Sequence, residues 1–276
     1  MRTSLIITTY NWPEALEAVL NSVAKQTRLP DEVIIADDGS KEATVQLIKK
    51  MAKSFPVPLI HSWQEDLGFR LSRSRNKAIH LASMDYIVMI DGDMILNKHF
   101  IADHIKVAEP GFFITGKRVK LGEKLSLKVL NQHASLSFFT SGISRGRELC
   151  LRSSVLQSMY CNSRPYSIDG IHGCNLAFWR QDVIAVNGFN AEFEGWGPED
   201  KEFALRMINN GILRKQIKFY GVAFHLNHHE SSKEQLEENE RIFQNIKNNH
   251  IICCQRGLCE FINTWKGEQN SCKPLY

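Results

Sequence analysis

Short apolar runs rich in isoleucine and valine recur at residues 3–9, 32–37, 58–62 and 86–91, and between them the apolar positions fall at helical spacing. A run of this length bounded by polar turns reads as a strand buried on both faces. Leu16, Val19, Leu20 and Val23, then Val45, Leu47, Ile48 and Met51, mark two of the intervening helices. Pro13 suits the first turn of the first helix, with Asn11 or Trp12 just before it as the boundary. Strands alternating with helices imply right-handed crossovers and a mainly parallel sheet, so the predicted class is α/β.

A further strand is expected over 112–119, beginning Phe112-Phe113-Ile114-Thr115-Gly116. From about 120 to 165 the pattern turns irregular, with an apolar patch at Leu136-Ser137-Phe138-Phe139. A long insertion of this kind in a compact domain is a lid, an acceptor loop or a docking surface. Gly170 to Val186 reads as ordered again. Lys233 to Asn249 reads as a charged helix whose narrow apolar stripe is Leu236, Ile242, Phe243 and Ile246. The 276 residues suffice for one full α/β core, expected over 1–230, followed by a helical tail over 231–276.

Charge and cysteine content narrow the partners. The 34 basic and 30 acidic residues leave +4, too small an excess to imply nucleic acid. Arg145, Arg147, Arg152 and Arg164 face only Glu148 in their stretch; anionic lipid or a phosphorylated acceptor would suit them, and a solvated face is the simpler reading. The seven cysteines are odd in number and lack CxxC spacing, which argues for reduced cytosolic thiols. Asn162-Ser163-Arg164 is not a glycosylation acceptor. The chain enters a strand at Thr3 without a signal-like stretch, and no run approaches the ~20 apolar residues of a membrane span. A cytoplasmic protein is expected, with peripheral contact at the inner face of the plasma membrane left open.

In a parallel sheet, ligands meet the loops at the strands' carboxyl ends. Those loops are Thr8-Thr9-Tyr10-Asn11, Asp37-Asp38-Gly39-Ser40 and Asp91-Gly92-Asp93. Strand-end loops are polar in any case and Asp-Gly favours tight turns, but three on one edge, two of them rich in Asp, point to a nucleotide site. The carboxylates of Asp91 and Asp93 would converge where a divalent cation bridging two phosphates could sit. Downstream, Gly195-Trp196-Gly197-Pro198-Glu199-Asp200 sets an aromatic platform between two glycines and puts paired carboxylates at the start of a helix running through Phe203, Ala204 and Met207. A ring face beside a carboxylate suits sugar stacking and proton abstraction, although an acidic helix start after a Gly-Pro turn needs no function. His225, His228 and His229 follow a strand-like run; a metal or phosphate contact and a structural role both remain open.

The combination resembles the inverting glycosyltransferases of family 2. The matching blocks are Ile6 to Asn11, Glu32 to Ser40, Gly68 to Ile79 and Ile90 to Asp93, and Gly195 to Asp200 is similar to the Gly-Trp-Gly-x-Glu-Asp element of β-1,4-galactosyltransferases and bacterial chondroitin-type polymerases. The resemblance implies a GT-A type nucleotide-diphospho-sugar transferase fold: a nucleotide-binding half over 1–119, an acceptor region over 120–165 and an acceptor and catalytic half over 166–230. It implies that Thr8, Tyr10, Asn11, Asp38, Arg70, Asn76, Asp91 and Gly92 contact the nucleotide and donor. Asp93 with His225, or alternatively His228, would ligate Mn²⁺ or Mg²⁺. Trp196, Gly173 and Asn175 would meet the sugars, Asp200 would be the general base, and Glu199 would contact a sugar hydroxyl. The implied partners are a UDP-sugar, leaning to galactose or N-acetylgalactosamine, and a glycan or lipid-linked glycan acceptor of bacterial surface polysaccharide.

Two departures stand out. Pro198 replaces the more usual glycine and stiffens the closing turn, and the length allows one such domain where polymerases carry two. A sugar nucleotidyltransferase would need a Gly-rich loop near the N-terminus, and Ile6 to Pro13 holds no glycine. A non-catalytic sugar-binding module would have no need to keep Asp93, Asp200 and the histidines together.

Overall fold

The computed structural model describes residues 1–131, 135–160, 165–228 and 234–262. In chain order the elements are β1 (Thr3–Thr9), α1 (Pro13–Ala24), β2 (Glu32–Asp37), α2 (Glu42–Ala52), β3 (Leu59–Trp63), α3 (Leu71–Leu81), β4 (Tyr86–Asp91), β5 (Met94–Leu96), α4 (Phe100–Val107) and β6 (Phe112–Thr115). They continue with β7 (Val119–Leu121), α5 (Glu123–Leu130), β8 (Ile143–Arg145), α6 (Ser154–Tyr160), β9 (Asn175–Trp179), α7 (Arg180–Ala185), α8 (Glu199–Asn209), β10 (Leu213–Gln216), β11 (Ala223–His225) and α9 (Leu236–Asn248).

The main sheet has the order β10-β6-β9-β4-β1-β2-β3 and is parallel except for β9, which runs antiparallel to both β4 and β6. Strands β1 and β2 are buried along their whole length, as expected of parallel strands covered by helices on both faces. Alternate residues feed two cores. Leu5 and Ile7 of β1 pack with Leu16, Val19, Leu20 and Val23 of α1, Ile48 of α2 and Phe100 of α4. Ile6 points the other way, into a core with Ala78 and Ile79 of α3, Val183 of α7 and Phe203 and Met207 of α8.

A smaller sheet, ordered β5-β11-β7-β8, stands beside the first. Its apolar residues Val119, Leu121 and Phe224, with Val222 just before β11, pack on Ala15 of α1 and on Leu125 and Val129 of α5. The run predicted as one strand over 112–119 is therefore two: β6 stays in the main sheet, and β7 belongs to the small one. The stretch 120–165, irregular by pattern, carries α5, β8 and α6 among its described residues. Their sequences are too short for periodicity to declare them. Predicted features at Arg164, Lys233, Trp265, Cys161, Cys272 and the Asn162-Ser163-Arg164 tripeptide lie outside the described residues, as does His229.

Helix α8 is pinned by a fully buried ion pair. Arg206 donates to both oxygens of Glu202, at 2.7 and 2.8 Å, and to the carbonyls of Val186 and Gly188. That bracket fixes the azimuth of α8, and with it the direction in which Glu199 and Asp200 leave its first turn. Removing one member of a buried pair strands the other charge, so Arg206→Met should lower stability by about 3–5 kcal/mol in urea unfolding with an unchanged slope.

Candidate active site

The carboxyl edge of the main sheet is in register where it matters. Thr8 of β1 pairs with Ala36 of β2 on one side and with Asp91 of β4 on the other, so the three predicted loops leave the sheet together. Thr8 Oγ1 donates to Asp91 Oδ1 at 3.1 Å. At Gly92 the chain passes so close to β1 that a Cβ would collide with the Thr8 carbonyl oxygen. That close passage lets the chain leave the main sheet at Asp91 and enter the small one at Met94 with Asp93 between.

In the small sheet Met94 pairs with His225, and the Leu226 amide donates to the Asp93 carbonyl at 3.0 Å. Strand pairing thus brings the two histidines to the aspartate. Nε2 of His225 lies 3.3 Å, and Nε2 of His228 3.1 Å, from Asp93 Oδ2. Ligand atoms of all three residues lie within 4.8 Å of one another. Asp93 Oδ1 is buried without a hydrogen-bond partner, as an oxygen awaiting a cation would be. Burial pushes the His225 imidazole down to about 4 against the pull of Asp93, which leaves a neutral ring with a lone pair to offer. One carboxylate and two imidazoles suit a divalent cation that keeps further positions open for phosphate oxygens. The sequence left His225 and His228 as alternatives; the fold presents both.

A cavity of about 660 Å³ runs from Thr8, Tyr10 and Asp38 past Phe69 to Asp91, Gly92 and Asp93, and ends against Trp196 and His228. Asp38 accepts from Gln64 Nε2 at 2.5 Å and from the Arg70 amide at 2.8 Å, and burial pushes its carboxyl up to about 6 despite both bonds. The Tyr10 hydroxyl donates to Asp66 at 3.0 Å. Arg70 contributes its backbone here, while its side chain donates to the Glu65 carbonyl at 2.7 Å. Asn11 lies outside the lining: its Oδ1 accepts from the Lys41 amide, tying the first loop to the second.

A second cavity, of about 600 Å³, opens on the other side of Asp91 and Trp196 and holds Arg75, Arg118, His172, Gly173, Glu199 and Asp200. Asp200 is gripped at both oxygens, by Arg75 Nη1 at 2.8 Å and by the Gly173 amide at 2.5 Å. A Cβ at 173 would collide with Asp200 Oδ1 and Arg75 Nη2, so any larger residue would displace that pair. Arg75 also lies 3.5 Å from Glu199 and 3.6 Å from Asp91. Burial raises the Glu199 carboxyl above its ordinary range, the Asp200 charge adds to the rise and Arg75 opposes it. Asp91 is likewise raised by burial, with Arg75 pulling the other way.

Two expected sugar or donor contacts are scaffold instead. Asn76 is fully buried; its amide donates to the Phe189 carbonyl at 2.7 Å and accepts from the Phe189 amide at 2.8 Å. Asn175, also fully buried on β9, donates to the carbonyls of Lys117 and Gly221 and meets His104 Nε2 at 3.0 Å. The Asn76 amide is spent on backbone and the Asn175 amide on backbone and His104, and neither residue lines either cavity. Two residues not singled out from sequence shape the site. Arg75 lines the second cavity from a face of α3 that it shares with Ser72, Asn76 and Ile79, all buried in the fold. Asn239 of α9 donates to the carbonyls of Glu194 and Trp196, at 2.8 and 3.0 Å, and so holds the Trp196 loop. The helix read as tail is part of the site, and Glu234 and Gln235 line the first cavity.

The family model described as Glycosyl transferase family 2 matches residues 4–185. The chain belongs to that family. A second model, described as the N-terminal domain of galactosyltransferase, matches 154–229 and so takes in the Trp196 loop, Glu199, Asp200 and both histidines. Among the relatives, the hyaluronan synthase of Pasteurella multocida is 26% identical over 231 residues, 78% of this chain and 23% of its own length. The chondroitin synthase of Escherichia coli is 25% identical over 233 residues, 78% of this chain and 33% of its own. The chain therefore spans a third or less of either relative. The crystal structure of S. aureus TarS 1-349 in complex with UDP superposes with a TM-score of 0.61 over 94% of this chain and 68% of that one, at 16% identity. The fold is the GT-A type. Among the described residues no helix is long and apolar enough to cross a membrane.

If the Asp93 cluster is a metal centre, Mn²⁺ titrated calorimetrically should bind the wild-type chain in the absence of nucleotide. Asp93→Ala should weaken that binding by more than the about 10–100-fold that loss of an outer-shell partner costs, and Asn76→Ala should leave it unchanged.

Proposed function

We propose that this chain is a metal-dependent inverting glycosyltransferase that moves a hexose or N-acetylhexosamine from a UDP-sugar to a hydroxyl of a glycan acceptor. The observation that carries the reading is the junction of two cavities. A groove of about 660 Å³ meets a second pocket at Asp91, Trp196 and His228, with a three-residue candidate cation site at the junction and a held carboxylate beyond it. The UDP bound in the TarS structure and the synthase activities named for the relatives agree with it.

In this reading Thr8, Tyr10 and Asp38 line the nucleoside groove, with Asp38 on the uracil edge and Arg70 supplying its amide to hold Asp38. Asp93, His225 and His228 hold Mn²⁺ or Mg²⁺, which when bound offsets the charge growing on the leaving diphosphate. Trp196, 40% exposed between the cavities, is the face on which a sugar ring rests. Asp200 accepts the proton of the acceptor hydroxyl. As it does so the hydroxyl oxygen forms its bond to the anomeric carbon, the bond from that carbon to the β-phosphate oxygen breaks, and the electron pair leaves with UDP from the opposite face. The anomeric configuration inverts, and the proton ends on Asp200. Glu199, whose burial lets it keep a proton to higher pH than a free carboxyl, hydrogen-bonds a sugar hydroxyl.

Lys120, Leu121 and Ser144 of the small sheet line the outer wall of the second cavity. This supports the stretch 120–165 as the acceptor region. The closing-block likeness to galactosyltransferase, now matched over 154–229, favours galactose or N-acetylgalactosamine as the donor sugar. A bacterial surface polysaccharide or its lipid-linked precursor, met at the cytoplasmic face of the membrane, fits as acceptor.

UDP should raise the melting temperature only when Mn²⁺ is present, and Asp93→Ala should abolish that increment. Asp200→Asn should keep the increment and lose transfer by about 10²–10⁴-fold, measured as UDP release across the galactose, N-acetylgalactosamine, glucose and N-acetylglucosamine donors. Wild-type turnover in Asp200→Asn would remove Asp200 from the role of base.

A further inference from the structure

Among the described residues Arg75, Arg206 and Arg214 are fully buried, and the two that bond carboxylates of α8, Arg206 and Arg75, are built differently. Arg206 spends its fork on one carboxylate and two backbone carbonyls, the partners of a structural bracket. Arg75 faces carboxylates: Asp200 at 2.8 Å, Glu199 at 3.5 Å and Asp91 at 3.6 Å, with its Nε buried and without a partner. Its guanidinium is stacked 5.0 Å from the Phe189 ring, so the plane of the fork is set from behind. Burying an arginine among acids gains little net stability, and an apolar side chain would fill the same space at less cost. What the arginine supplies is direction.

We propose that Arg75 is the positioning residue of the transfer step: its fork holds the Asp200 carboxylate toward the acceptor and ties it to Asp91 at the donor end of β4. The inference rests on the reading of Asp200 as base. A carboxylate held at Oδ1 by Arg75 and at Oδ2 by the Gly173 amide cannot turn about its last torsion. The fifth of its surface that stays exposed lies in the second cavity. The second arm of the fork, Nη2, points to Asp91, which itself accepts from Thr8 at the mouth of the nucleoside groove. One rigid, planar cation therefore spans the donor strand and the acceptor-side helix. A lysine, with one charged point, could hold either end but not both.

The test compares wild type, Arg75→Lys, Arg75→Ala and Asp200→Asn. Three quantities are read: the melting temperature, UDP affinity in Mn²⁺, and the kcat and KM for metal-dependent UDP release from whichever of the four UDP-sugars wild type turns over fastest. Both Arg75 variants should bind UDP as wild type does and keep the donor KM, while kcat falls about 100-fold, the scale of a misplacement near 1 Å. Added guanidinium ion should restore part of the kcat of Arg75→Ala and none of that of Asp200→Asn. If Arg75→Lys or Arg75→Ala turns over at the wild-type kcat while Asp200→Asn is inactive, the positioning role is overturned and the base assignment stands. If Asp200→Asn itself turns over normally, the underlying reading falls. Loss of UDP binding together with melting temperature in both Arg75 variants would make Arg75 a folding residue and overturn the proposal as well.

Discussion

Carboxylates repel one another, and this protein gathers Asp91, Asp93, Glu199 and Asp200 around a single edge of its sheet. That arrangement is affordable only because each acid is matched separately. Asp200 has a guanidinium and a backbone amide, Asp91 has the Thr8 hydroxyl and the far arm of the same guanidinium, and Asp93 has two imidazoles. Glu199 has the weakest match, and burial moves its carboxyl toward the neutral form. The rest of the structure serves to hold these partners in place: α3 carries Arg75, Gly173 leaves room for it, and the Arg206 bracket fixes α8.

The two sheets divide the chemistry between them. The main sheet ends in loops that form the first cavity, while β11 of the small sheet and the residues just after it deliver the histidines. The crossing point is Asp91-Gly92-Asp93, where the chain leaves one sheet for the other. Its first aspartate stays with Arg75 of α3, and its second goes to the histidines. The glycine between them is required by contact with the Thr8 carbonyl. Both acids line the first cavity and only Asp91 also reaches the second, a division that no count of charges along the chain would show.

Helix α9 illustrates how a boundary drawn by pattern can cut through a site. Its narrow apolar stripe is real, with Phe243 and Ile246 buried, and it suggests an appended tail. The residue that matters to the site is polar. Asn239, buried on the same face, caps the carbonyls of Glu194 and Trp196 and keeps the indole between the cavities. A hydrogen bond between a side chain and a distant loop carbonyl has no periodicity, so the spacing of apolar residues carries no trace of it.

Local chemistry in the chain was enough to determine the strands β1, β2 and β4, the helices between them, the polar loops at their ends and the start of α8. Burial on both faces writes long Ile and Val runs, and a helix against a sheet repeats every three to four residues. The pairing of Asp93 with residues 132 and 135 positions away, the placing of Arg75 under Asp200, and the diversion of Asn76 and Asn175 into backbone brackets were decided only by tertiary structure. An asparagine reads the same whether its amide faces a ligand or a carbonyl, and β5, β7, β8 and β11 are each three residues long. Such strands carry too little pattern to announce themselves; pairing with one another is what makes them strands, and that pairing is what assembles the site.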